Sequence, residues 1–157
     1  MRIEIIAVGK LKEDYLKDAL KYYTKKIQKH SLEIIEVPDE KASESYSAIE
    51  IEKVKRKEGQ KILSYISNYS YVFALDILGK NYTTKMLGKT IQKVNNMGFS
   101  QIIFIIGGSN GLSPEVLQRA QEKISFSPMT FPHQLMRVIL VEQIEKIQED
   151  ILKYEKL

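Results

Sequence analysis

The sequence predicts an α/β domain built on a mostly parallel sheet. Short apolar runs at Ile3–Val8, Leu32–Val37, Tyr71–Leu75 and Gln101–Ile106 alternate with stretches of helical period. The run Ile102-Ile103-Phe104-Ile105-Ile106 is apolar at every position, as in a strand covered on both faces. Directly after it comes a glycine-rich turn, Gly107-Gly108-Ser109-Asn110-Gly111, and then a helix start. In open α/β sheets, ligands sit beyond the carboxyl ends of such strands.

Met1 to Val8 reads as a first strand, since Glu4 interrupts the apolar run and no small-residue cleavage site follows. Leu11 to Gln28 is expected as a helix with Leu16, Leu20, Tyr23 and Ile27 on one face. Leu32 to Val37 reads as a half-buried strand ended by Pro38-Asp39, and Asp39 to Ser47 as a polar loop. Ala48 to Ile66 is a strongly charged helix with a partial apolar face of Ile51, Val54, Ile62 and Leu63. Tyr71 to Leu75 is a strand, expected to end in a turn around Gly79-Lys80. Thr83 or Thr84 caps a helix reaching about Met97. Ser113 caps another, with Pro114 in its first position, where a missing N–H costs nothing. Ile124 to Phe126 is a short strand. A last helix follows Pro132, with Leu135, Ile139, Leu140, Ile144, Ile147 and Ile151 on its apolar face. No linker or repeat divides the chain, so residues 1–157 read as one domain.

Composition excludes several classes. The chain has 157 residues, 43% of them hydrophobic, which supports a real core. With no cysteine there is neither a disulfide framework nor a thiolate metal site. His30 and His133 are the only histidines, which argues against a metal centre. No run is long and apolar enough to cross a bilayer. These features fit a reducing, cytoplasmic setting. A net charge of +4 mildly favours a polyanionic partner. Lys53, Lys55, Arg56 and Lys57 are interleaved with acids and read as a solvated helix face. Lys10, Lys12 and Lys80 differ in following strands, near the expected ligand edge.

Two segments can carry chemistry. In Gly107 to Leu112, glycines allow close backbone approach and the following helix offers free N–H groups; a plain turn is the other reading. The spacing is neither the dinucleotide fingerprint nor a P-loop, which argues against NAD or ATP. The loop Ser125 to His133 mixes apolar, hydroxyl and backbone groups, a mixture that sandwiches a flat, partly apolar ligand such as adenine. A rigid two-proline connection is the alternative. His133 can act as acid or base, or only cap and pack. Arg137 can bind phosphate or pair with a carboxylate.

These residues resemble a known family. Ala7-Val8-Gly9-Lys10-Leu11-Lys12, Val37-Pro38-Asp39-Glu40-Lys41, Lys57-Glu58-Gly59, Ile106 to Leu112, Leu117 to Ala120 and above all Ile124 to Arg137 are similar to RlmH, the pseudouridine-N3 methyltransferases of the SPOUT class. Pro128 stands where that family has lysine. The resemblance runs from residue 1 to about Ile144. It implies a SPOUT-type α/β knot, with a trefoil knot in the C-terminal half, and a homodimer. It implies S-adenosylmethionine as cofactor, held by Leu75, Gly107, Phe126, Ser127, Pro128, Met129, Thr130 and Phe131. It implies a pseudouridine of 23S rRNA in the assembled ribosome as substrate. His133, Arg137 and Glu142 are the catalytic positions carried over from it.

The C-terminal segment departs from the pattern. Glu142-Gln143-Ile144 is followed by Glu145-Lys146-Ile147, where the family has Tyr-Arg-Ala. The tail reads Lys153-Tyr154-Glu155-Lys156-Leu157, without the family's Tyr-His-Lys ending. Lysine in place of arginine also removes a planar, forked donor. Besides an active rRNA methyltransferase, the sequence therefore admits a relative that binds cofactor or ribosome without turnover.

Overall fold

The structure is a computed structural model and describes residues 1–149. In chain order its elements are β1 (Arg2–Val8), α1 (Asp14–Thr24), β2 (Ser31–Val37), α2 (Ala48–Ser64), β3 (Tyr71–Asn81), α3 (Thr84–Asn96), β4 (Gln101–Ile106), α4 (Pro114–Arg119), β5 (Glu122–Ser125) and α5 (His133–Glu149). The strands form one five-stranded sheet in the order β2-β1-β4-β3-β5, and each neighbouring pair is parallel. The expected class and sheet are those observed.

Alternation along the central strands divides the core between two faces. Ile3, Ile5 and Ala7 of β1, with Ile102, Phe104 and Ile106 of β4, join one core cluster, closed by Leu20 of α1, Leu87 and Ile91 of α3, and Leu140 and Ile144 of α5. Ile6, Val8, Ile103 and Ile105 join the other, closed by Ile62 of α2 and Val116 of α4. Both faces are covered, which is why β1 and β4 read as nearly unbroken apolar runs. The exception, Glu4, is buried but pairs with the Arg2 guanidinium at 2.6 Å. Phe73 and Phe104 stack with ring centroids 4.9 Å apart in the first core.

Side-chain caps set three helix starts. Ser47 and Glu50 form a reciprocal capping box on α2. Thr83 accepts the Met86 N–H at 3.1 Å, and Ser113 accepts the Val116 N–H at 3.4 Å.

Other boundaries differ from expectation, and at α1 the reason is that tertiary partners claim backbone groups. α1 starts at Asp14 and ends at Thr24, inside the expected span from Leu11 to Gln28. The Leu11 N–H donates to Glu36 at 2.9 Å, and the Gln28 N–H donates to Gln148 Oε1 at 2.8 Å. α2 stops at Ser64, short of Ile66. β5 lies slightly earlier than expected, at Glu122–Ser125. β3 runs on to Asn81 with a register shift: Ile124 pairs with both Leu75 and Lys80. Instead of turning at Gly79-Lys80, the chain leaves the ladder over 76–79 and rejoins it. On α5 the buried stripe is Val138, Leu140, Val141, Ile144 and Ile147, while Leu135 and Ile139 stay half-exposed. Ile151 and the tail from Lys153 to Leu157 lie outside the described residues.

Candidate active site

β3, β4 and β5 end side by side, and the segments beyond them meet over a cavity of about 720 Å³. Leu75 and Ile106-Gly107 lie on its wall at the strand ends. The extruded segment of β3 contributes Asp76, Ile77 and Leu78, two of whose apolar side chains are otherwise exposed. Phe126, Ser127, Met129, Thr130 and Phe131 close another side. Pro128, in the same loop, is exposed and does not line the cavity. The loop is shaped from within: Ser125 Oγ donates to the Ser127 carbonyl at 2.8 Å, and the Met129 N–H donates to Ser127 Oγ at 3.0 Å.

The glycine loop fits tightly against its own return. A Cβ on Gly107 would stand 3.0 Å from Leu112 Cδ2 and 3.1 Å from the Gly111 backbone. Gly111 takes a φ of 83°, a region L side chains rarely adopt, and its N–H donates to the Gly108 carbonyl at 3.1 Å. Bare backbone therefore faces the cavity here.

A second cavity of about 530 Å³ adjoins the first, and Gly108, Ser109, Asn110 and His133 line both. Its other walls come from Val8-Gly9 at the end of β1, residues 39–43 and Tyr46 of the β2–α2 loop, and Glu58 of α2. Glu58 is 4% exposed; one carboxylate oxygen accepts the Glu40 N–H at 2.9 Å and the other has no partner. Burial pushes this carboxyl above the ordinary value; neighbouring Asp39 and Glu40 add to the rise, while the Glu40 N–H and Lys61 oppose it.

Of the expected catalytic positions, His133 sits in the wall shared by both cavities, while Arg137 and Glu142 line neither. Arg137 is 1% exposed; its guanidinium donates to Glu36 at 2.7 Å and to the Gly9 carbonyl at 3.1 Å. It thereby ties α5 to the ends of β1 and β2. Glu142 pairs with Lys146 at 2.6 Å and accepts the Gln143 amide at 2.8 Å. Among the described residues no three His, Asp or Glu side chains group as a metal site would, and no helix is long and apolar enough to cross a membrane.

Comparison with known proteins bears on this geometry. The family model described as "Predicted SPOUT methyltransferase" matches residues 1–152. The chain belongs to the SPOUT methyltransferase family. Curated relatives named "Ribosomal RNA large subunit methyltransferase H" match over 145 residues, 92% of this chain and 91% of theirs. The proteins of Lactiplantibacillus plantarum and Bacillus pumilus are each 53% identical, and that of Exiguobacterium sibiricum is 52% identical. The resemblance noted from the motifs thus extends over most of the chain.

In this SPOUT methyltransferase, sequence reasoning found both cavity loops but missed the wall formed by Asp76 to Leu78. A strand that interrupts its own pairing leaves no periodic signal, although two exposed apolar residues beside a glycine were available as a hint. Glu58 was singled out only as part of the motif Lys57-Glu58-Gly59 and was given no role. It lies on the inward face of α2, four residues from both Val54 and Ile62, where an acid needs a reason to be.

Proposed function

We propose that this SPOUT methyltransferase uses S-adenosylmethionine to methylate N3 of a pseudouridine in 23S rRNA on the assembled ribosome. The observation that carries the reading is the cavity over β3, β4 and β5, whose wall includes Leu75, Gly107 and five residues between Phe126 and Phe131. The names of the relatives supply the rRNA substrate.

The residues present fit the cofactor. The apolar side chains of Leu75, Phe126 and Phe131 suit the faces of an adenine, and backbone groups of the two loops suit its polar edge. Pro128 supports the loop from outside. Asp76 places a carboxylate in a wall that would face a cationic ligand. When bound, the cofactor supplies an electrophilic methyl group on a positively charged sulfur. The chain's residues hold the acceptor base against that methyl and exclude water, so proximity provides much of the rate. His133, at the boundary of the two cavities, contacts the base. Arg137 and Glu142 act as positioning residues through α5. Lys and Arg side chains hold the RNA phosphates.

The same reading includes one domain over 1–157, a homodimer, a trefoil knot and a cytoplasmic setting. The knot is carried over from the family resemblance. A second reading, binding without turnover, rests on Glu145-Lys146-Ile147 and the altered tail. Tritiated methyl transfer to ribosomes lacking the modification, with cofactor binding measured by calorimetry on the same sample, separates them. Binding with transfer is the expected result. Binding without transfer favours the second reading, and the absence of both binding and transfer overturns the cofactor assignment.

A further inference from the structure

The second cavity has features of its own that the cofactor does not use. Glu58 is buried, one of its oxygens has no partner, and it forms part of a wall that adjoins the cofactor cavity. The position of Gly108 is decisive. Gly108 lines both cavities, and a Cβ on it would stand 3.8 Å from the free Glu58 oxygen and 3.3 Å from Val8 Cγ1. The loop over the strand ends thus passes directly beside the carboxylate at Gly108, with no side chain between them. A buried carboxylate oxygen left unsatisfied costs free energy, and a catalytic role is one of the few reasons for a fold to keep one.

We propose that the second cavity receives the target nucleobase and that the free Glu58 oxygen, Oε1, accepts the ring N–H proton during methyl transfer. This rests on the methyltransferase reading above. It adds the group that takes the proton and the place where the base sits. The acceptor is a flat ring with an N–H between two carbonyls. As its nitrogen bonds to the methyl carbon, the carbon–sulfur bond breaks and that electron pair stays on sulfur. The N–H bond breaks, its pair remains on nitrogen, and the proton passes to Glu58. Cationic sulfonium and anionic carboxylate become neutral thioether and neutral acid, so atoms and charge balance.

Burial equips Glu58 for this. Raised above the ordinary carboxylate value by burial, the carboxylate is a stronger base than an exposed glutamate. The titratable and charged groups around it are Asp39, Glu40, Lys41 and Tyr46 of the β2–α2 loop, Lys61 of α2 and His133, which lines the same cavity. The two acids favour proton uptake, and Lys61 opposes it.

The test is single-turnover transfer to ribosomes lacking the modification, followed against pH for wild type, Glu58→Gln and His133→Gln. Glutamine keeps an oxygen to accept the Glu40 N–H, so the fold holds. Removing a desolvated charge should also raise the melting temperature at neutral pH. The expected result is a loss of about 100-fold or more in Glu58→Gln, with unchanged calorimetric cofactor affinity. The rising limb of the wild-type pH profile should vanish in Glu58→Gln and persist in His133→Gln. A wild-type rate and limb in Glu58→Gln, or a limb lost only in His133→Gln, overturns the assignment. If Glu58→Gln melts lower than wild type, the carboxylate is structural and the assignment is likewise overturned. A wild type that transfers no methyl overturns the methyltransferase reading, and this inference with it.

Discussion

Arg137 shows how one residue answers two descriptions. The sequence left open whether it binds phosphate or pairs with a carboxylate; the folded chain pairs it with Glu36 and the Gly9 carbonyl. Replacing it by alanine would strand Glu36 and leave a void at the base of α5. The expected cost is about 3 kcal/mol in denaturant unfolding, at the lower end for a broken buried pair because Glu36 is partly exposed. Burial raises the Glu36 carboxyl, but the Leu11 N–H and Arg137 together bring it below the ordinary value. Its contribution is therefore present above the unfolded value and lost as pH falls through the lowered one. The gap between wild type and Arg137→Ala should narrow in acid, and a gap independent of pH would contradict the pairing. Gly107 offers a second test at this scale. Gly107→Ala forces a Cβ to within 3.0 Å of Leu112, shifting the loop beside the cavity. Calorimetry should show S-adenosylmethionine binding about tenfold weaker, roughly 1.4 kcal/mol, in a chain that still folds.

At the scale of elements, the sequence was most legible where local and tertiary forces agree. β4 appeared at its expected bounds because both of its faces are covered. Thr83, Ser113 and Pro114 marked their helix starts because caps act within a few residues. Two of the misses trace to distant partners. α1 is shortened by hydrogen bonds from its flanks to Glu36 and Gln148, residues far away in sequence. The expected face of α5 held at Leu140, Ile144 and Ile147, with Leu135 half-buried against Leu11, Leu16 and Val138, and the structure adds Val138 and Val141 to it. The detour of β3 over 76–79 needs β5 to define it, so no local pattern reveals it. That junction is testable. In Gly79→Ala the new Cβ meets the Lys123 backbone at 2.7 Å, where no flexible side chain can yield. The variant should lose about 1–3 kcal/mol in chemical denaturation. Amide exchange at Tyr82, whose N–H donates to the Ser125 carbonyl at 2.9 Å, should quicken first. Unchanged protection there would argue against the double pairing of Ile124.

For the molecule as a whole, family and candidate site were legible because the motifs at Gly107–Leu112 and Ile124–Arg137 fall on loops that one parallel sheet brings together. The motifs at Val8-Gly9, Asp39 to Lys41, Glu58 and Gly108 to Asn110 were legible singly, but not that they meet around one neighbouring cavity, since they lie on different elements. Only the folded chain places Glu58 behind Gly108. The central claim is that this assembly transfers methyl groups to rRNA despite Glu145-Lys146-Ile147 and its altered tail. Expressing the chain in a bacterium whose own ribosomal pseudouridine-N3 methyltransferase has been deleted tests it most directly. The readout is mass spectrometry of nucleosides from its 23S rRNA. Return of 3-methylpseudouridine is the predicted result; its absence, with the protein present, folded and binding S-adenosylmethionine, would contradict the account.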